Sequence, residues 1–250
     1  MCGPYVHTKE SLIMSTLTTG TYEKYGVSYK TLTLTDGEYA FTVTPEKGGM
    51  ATSFTKNGDE YLWLRDKNFE STDRPRCGIP ILFPNCGKPD DGVHHFNGAA
   101  YPIEVHGLAD LVPWQVKSAD DTAIELTLTP NGLTKFVYPF DFAFTVTQEL
   151  SGRTLTITWK VENTGDDDMY FSVGGHPAFM IPEQYDIVFN KGLENHTETE
   201  LEYVLIDPET AGVDVAHPRK LKLQDGRIPY TRTLFDEDAL IFDNTKVERV

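Results

Sequence analysis

A chain of 250 residues with 22 basic and 38 acidic side chains carries a net charge of −16, which disfavours phosphate backbones and anionic lipid and so points away from nucleic acid and membrane surfaces as partners. Hydrophobic residues at 39% and aromatics at 12% belong to an ordinary globular protein with a large core, and all-β sandwiches reach this length as one domain. Three cysteines, Cys2, Cys77 and Cys86, form no CxxC pair and no even-numbered framework, which fits a reducing, cytoplasmic compartment.

The opening MCGPYVHTKESLI lacks a basic n-region followed by an apolar core and does not read as a signal. Met14 supplies an alternative start, so residues 1–13 are expected to be a flexible extension ahead of a domain spanning 14–250. No stretch approaches the roughly 18 apolar residues of a membrane helix.

Period-two patterns then dominate. YKTLTLT and EYAFTVT flank Asp36-Gly37, and Asn57-Gly58 precedes EYLWL, both hairpin signals. From Asn68 to Pro113 the chain is irregular and rich in Pro, Gly, His and Asp, the kind of long segment on which sites are built or which simply packs as surface loop. AIELTLT and FAFTVTQEL alternate again, and Ser151-Gly152 turns the chain into TLTITWKVEN. There Leu155, Ile157, Trp159 and Val161 alternate with Thr156, Thr158 and Lys160. An apolar run, MYFSV, is expected to be a strand ending in Gly174-Gly175, and Asp225-Gly226 marks a last turn. With no sustained helical spacing and no repeat, the prediction is all-β: one large antiparallel sandwich.

Chemistry concentrates in RPRCGIPILFPNCGKPDDG (74–92), EVHGLADLVPW (104–114) and VGGHPAF (173–179). Gly174 and Gly175 permit backbone angles closed to other residues, and Pro177 biases His176 toward an extended conformation, so the imidazole is presented by the end of a strand. On these residues alone, a turn whose histidine caps buried polar groups stays open. A metal set of Cys77, Cys86, His94 and His95 does not follow a zinc spacing, and adjacent histidines on an extended chain face opposite ways, so no metal site is expected. Asp166-Asp167-Asp168 reads as a solvated turn rather than a calcium loop, and His7, His196 and His217 have no supporting context.

Three ordered motifs, GxP-ILFP, then HG followed by P-W, then GGHPAF, resemble the aldose 1-epimerase (galactose mutarotase-like) family, in the branch with the glucose-6-phosphate 1-epimerases and LacX-type proteins. The resemblance runs from about Tyr22 onward. It implies a β-sandwich with a sugar cleft and exchange of the α and β anomers of an aldose without metal or organic cofactor. It also implies a small-molecule sugar as partner; the chain is expected to be a monomer or homodimer. By resemblance His176 is the acid facing the ring oxygen and His106 a second imidazole on the anomeric side. Arg76 and Asp238 bind sugar hydroxyls. The bland alternatives are a surface ion pair for Arg76, a solvated acidic turn for Asp238, and core positions for Trp114 and Phe179.

Two departures stand out. Where the family reads HGFAR, this chain reads His106-Gly107-Leu108-Ala109-Asp110, and a carboxylate there would repel a phosphate dianion, which favours a neutral hexose although Arg74, Arg76 and Lys88 could still serve a phosphate. The family's general base is a glutamate beyond the FDEDALIF region, and the sequence ends at Val250 before it. The expectation is therefore a domain without that segment, with catalysis reduced or replaced by plain carbohydrate binding.

Overall fold

The computed structural model describes residues 15–24, 26–64, 74–75, 77–89 and 91–180, and the backbone of four later strands. Its contacts separate Met1–Phe179 from Met180–Val250.

The first sheet is a meander of β1 (Thr16–Lys24), β2 (Val27–Asp36), β3 (Tyr39–Thr44), β4 (Met50–Lys56) and β5 (Asp59–Glu60), paired in that order and antiparallel throughout. Its turns follow the dipeptides. Between β2 and β3 a positive φ of 60° falls on Gly37 alone, at the first loop position, as in a type II′ turn. Between β4 and β5 both Asn57 (53°) and Gly58 (86°) are positive, as in type I′.

Next come β6 (Ile81–Leu82), the hairpin β7 (Val93–Phe96) and β8 (Ala99–Pro102), and a second sheet of β9 (Gln115–Ala119), β10 (Ala123–Leu128), β11 (Phe142–Ser151) and β12 (Thr154–Asn163) in the order β12-β11-β10-β9. Leu32 and Leu34 of β2 and Phe41 and Val43 of β3 share one buried cluster with Ile124, Leu126, Phe142, Phe144 and Val146 of the second sheet. The period-two faces thus meet as a sandwich, the source of most of its stability. On β12, Leu155, Ile157 and Val161 pack on that cluster, whereas Trp159 stays 37% exposed.

Three features depart from expectation. A short helix, α1 (Gly132–Val137), interrupts the β pattern. It is written by its cap rather than by periodicity: the Asn131 side chain accepts from Leu133 N and Thr134 N while Thr134 Oγ1 accepts from Asn131 N. Within the irregular segment, Asn97 and Gly98, both with positive φ, close the β7–β8 hairpin. MYFSV is not a regular strand. Only β13 (Gly174–Gly175) pairs, with Leu82 and Ile81. The partner is flanked by Pro80 and Pro84, which have no N–H to donate, so beyond the two paired residues the bonding continues only through their carbonyls as acceptors.

In the second unit, β14 (Asp186–Phe189) pairs antiparallel with β17 (Leu240–Asp243), and β15 (Glu200–Ile206) with β16 (Val213–Lys222). The Asp225-Gly226 turn lies outside the described residues. Among the described residues no helix is long and apolar enough to cross a membrane.

Candidate active site

The three motif segments, far apart in sequence, form one junction. The β6–β13 ladder joins the first to the third, and backbone bonds extend it on both sides: His176 N–H donates to Pro80 O (3.0 Å), Ala178 N–H to Gly78 O (2.8 Å) and Ser172 N–H to Pro84 O (2.8 Å). The second motif docks on the first at Phe83, whose carbonyl accepts from Leu108 N–H (2.8 Å) and Ala109 N–H (3.1 Å).

At this junction the rings of His106 and His176 lie 5.4 Å apart, centroid to centroid, at an interplanar angle of 64°. Each is held differently. His106 has a left-handed backbone (φ 68°) and its N–H donates to Gly87 O (3.1 Å). Its Nδ1 lies 2.8 Å from Cys86 O. A carbonyl oxygen only accepts, so in the neutral ring Nδ1 carries the proton and Nε2 is the acceptor nitrogen. His176 is exposed, positioned by backbone bonds on either side of Pro177.

The glycines act otherwise than expected. Gly174 and Gly175 have ordinary extended backbone, outside the left-handed region. Their constraint is space: a Cβ on Gly174 would lie 3.2 Å from Cys86 Sγ, and one on Gly175 would lie 3.1 Å from the Trp159 ring. Gly107 does need its freedom, with φ 78° and Phe83 O only 2.3 Å from where a Cβ would sit.

Asp110 does not face a ligand as a bare charge. It is 1% exposed and bonded to Arg74 Nη1, while Arg74 Nη2 donates to Gly107 O at 2.8 Å. Burial raises the Asp110 carboxyl to about 6 despite the opposing pull of Arg74. Arg74 is thereby engaged inside the protein. Arg76 and Asp238 lie outside the described residues. Trp114 is core, its Nε1–H donating to Ala109 O at 2.9 Å, and Phe179 is half-buried against the same cluster.

Sequence reasoning missed Arg74 as a partner of Asp110, and it missed Asn85. The latter is 7% exposed, and its Nδ2 donates to Gly87 O (2.6 Å) and Glu104 O (3.0 Å), stitching the Cys86 loop to the His106 turn. A lone polar residue inside ILFPNCG was the available signal.

Beside the junction a cleft of about 830 Å³ is lined by Asn85, His94, Phe140, Asp168, Tyr170 and Phe171 among others. Burial lowers the His94 pKa. Among the described residues no three His, Cys, Asp or Glu side chains gather as a metal-binding group.

The model of the aldose 1-epimerase family matches residues 30–226. The chain belongs to the aldose 1-epimerase family. Within the family it is similar to the plasmid-encoded protein LacX of Lactococcus lactis subsp. lactis, with 25% identity over 230 residues, covering 85% of this chain and 72% of that protein. Among solved structures, the Slr1438 protein of Synechocystis sp. PCC 6803 is 28% identical, with a TM-score of 0.61 over 82% of this chain and 69% of that one. A galactose mutarotase-like protein of Lactobacillus casei ATCC 334, 24% identical with a TM-score of 0.62, covers 87% of this chain and 73% of its own, and shares the fold.

Proposed function

We propose that this member of the family exchanges the α and β anomers of a neutral hexose by general acid/base ring opening. The observation that carries the proposal is the 5.4 Å approach of the His106 and His176 rings, two imidazoles from segments 70 residues apart. Imidazole suits the task because its ordinary pKa lies near neutral pH.

In the proposed reaction a base takes the proton from the anomeric hydroxyl, and the C1–O5 bond breaks with its electron pair going to O5. His176 gives O5 a proton, and the open-chain aldehyde forms. Rotation about C1–C2 presents the other carbonyl face, and closure reverses both transfers. Nothing is oxidised and no group is lost. His106, with Nδ1–H directed to Cys86 O, offers Nε2 to the anomeric oxygen. Arg76 and Asp238 are proposed to bind sugar hydroxyls; in the family the base is a glutamate beyond the FDEDALIF region.

A neutral sugar is favoured over a 6-phosphate because Arg74 is already bonded to Asp110 and Gly107. Polarimetry on fresh α-galactose, α-glucose and α-glucose 6-phosphate tests the proposal. Faster decay of rotation with the first two supports it. Faster decay with the phosphate alone reverses the substrate class, and binding without acceleration makes the protein a carbohydrate-binding module instead.

A further inference from the structure

We propose that Arg74 and Asp110 form a clamp that positions His106, making both of them positioning residues; the kinetic part of this rests on His106 serving the anomer exchange as proposed above. The argument starts from the backbone. His106 and Gly107 are consecutive residues with φ of 68° and 78°. A histidine persists in the left-handed region only where its surroundings over-determine it. Here the turn is fixed from several directions: His106 N–H to Gly87 O, Gly107 N–H to Glu104 O, and the next two N–H groups to Phe83 O.

Arg74 fixes the remaining side. One arm of its guanidinium donates to the Gly107 carbonyl at 2.8 Å and the other to Asp110 Oδ1, so a single planar fork spans both. Neither end can drift. Asp110 is 1% exposed and Arg74 12%, and the Asp110 main chain lies so close to Gly48 that a Cβ there would fall 2.4 Å from Asp110 O. The pair links positions 36 residues apart, bringing the 74–75 segment onto the turn that carries the imidazole.

A pair present merely to cancel a buried charge would be satisfied by any cation. Lysine keeps the charge but has one nitrogen, which cannot reproduce the two-armed geometry. The test is therefore Arg74→Lys in the full chain. Two signals are read: mutarotation by polarimetry, and the ring resonances of His106 in protein labelled with ¹⁵N-histidine. The clamp predicts a fall in kcat of about ten- to a hundred-fold from misplacement of the ring, KM within about two-fold, and shifted His106 resonances. Wild-type kcat and unshifted resonances in Arg74→Lys overturn it. If Arg74→Lys does not fold, the double variant Arg74→Met/Asp110→Asn removes both charges together with the donor to Gly107, and unshifted His106 resonances there overturn the proposal equally. Full activity in His106→Gln would remove the catalytic role of His106 while leaving the resonance shift to decide the clamp.

Discussion

His106 and His176 reach the same point by opposite means. His106 sits on a left-handed turn bound on several sides, with a ring hydrogen bond that fixes its tautomer. His176 lies just past a two-residue ladder, exposed, tied by its backbone N–H to Pro80 O, its ring making no hydrogen bond among the described residues. One imidazole is held by its own environment, the other only aimed by its main chain. Under the proposed function, proton exchange with a mobile substrate would gain from such a division, with one ring as a fixed reference and the other able to follow the sugar.

The sharpest way to break this contrast is to replace each ring. His176→Asn should lower mutarotation by about 10²–10⁴-fold while changing unfolding free energy by no more than about 0.5 kcal/mol. A large loss of stability in a melt would show that His176 is structural after all. His106→Ala should add a stability cost of about 1–2 kcal/mol from the lost ring hydrogen bond.

The glycines extend the contrast to the backbone. Gly107→Ala sets a Cβ against Phe83 O in a left-handed conformation and should destabilise by about 3 kcal/mol or more, measured by denaturant unfolding.

Asp110 makes the held side sensitive to pH. Its carboxyl titrates near 6 in the folded chain against 3.8 for a free aspartate, so the folded state retains the proton longer. Stability contributed by the protonated form is present below about 4 and is lost as pH rises to about 6, by about 3 kcal/mol in total. Relative to Asp110→Asn, wild-type unfolding free energy should fall across that window and level off above it. The opposite slope would mean that the attraction of Arg74 outweighs burial.

The smallest effect belongs to the aimed side. Gly174→Ala meets only Cys86 Sγ, at 3.2 Å, a side-chain atom that can give way, so a loss of about 1 kcal/mol is expected. A loss as large as that of Gly107→Ala would erase the difference between the two regions.

Legibility followed the same division. The alternating runs predicted β2, β3, β10, β11 and β12 because each buries one face, and the Asp-Gly, Asn-Gly and Ser-Gly turns fell where their φ values require. α1 escaped because six residues are too few to show a period, and only the Asn131 cap betrays it. The convergence of His106 and His176 was legible through their motifs. The partnership of Arg74 with Asp110 was not, because a side-chain bond across 36 residues of irregular chain leaves no periodic trace. Gly174 and Gly175 were noticed for a wrong reason: sequence displays a missing side chain but not the neighbours, Cys86 and Trp159, that require its absence.

The prolines at 80 and 84 have a consequence for how this junction tolerates change in length. They leave three residues between them, and the observed register sets Gly174 against Leu82 and Gly175 against Ile81, with the Pro80 and Pro84 carbonyls accepting from His176 and Ser172 on either side. Sliding by a single step would turn every side chain over to the far surface and carry the imidazole of His176 away from its counterpart. Loops elsewhere can absorb insertions, but at Ile81-Leu82-Phe83 the spacing sets where His176 sits relative to His106.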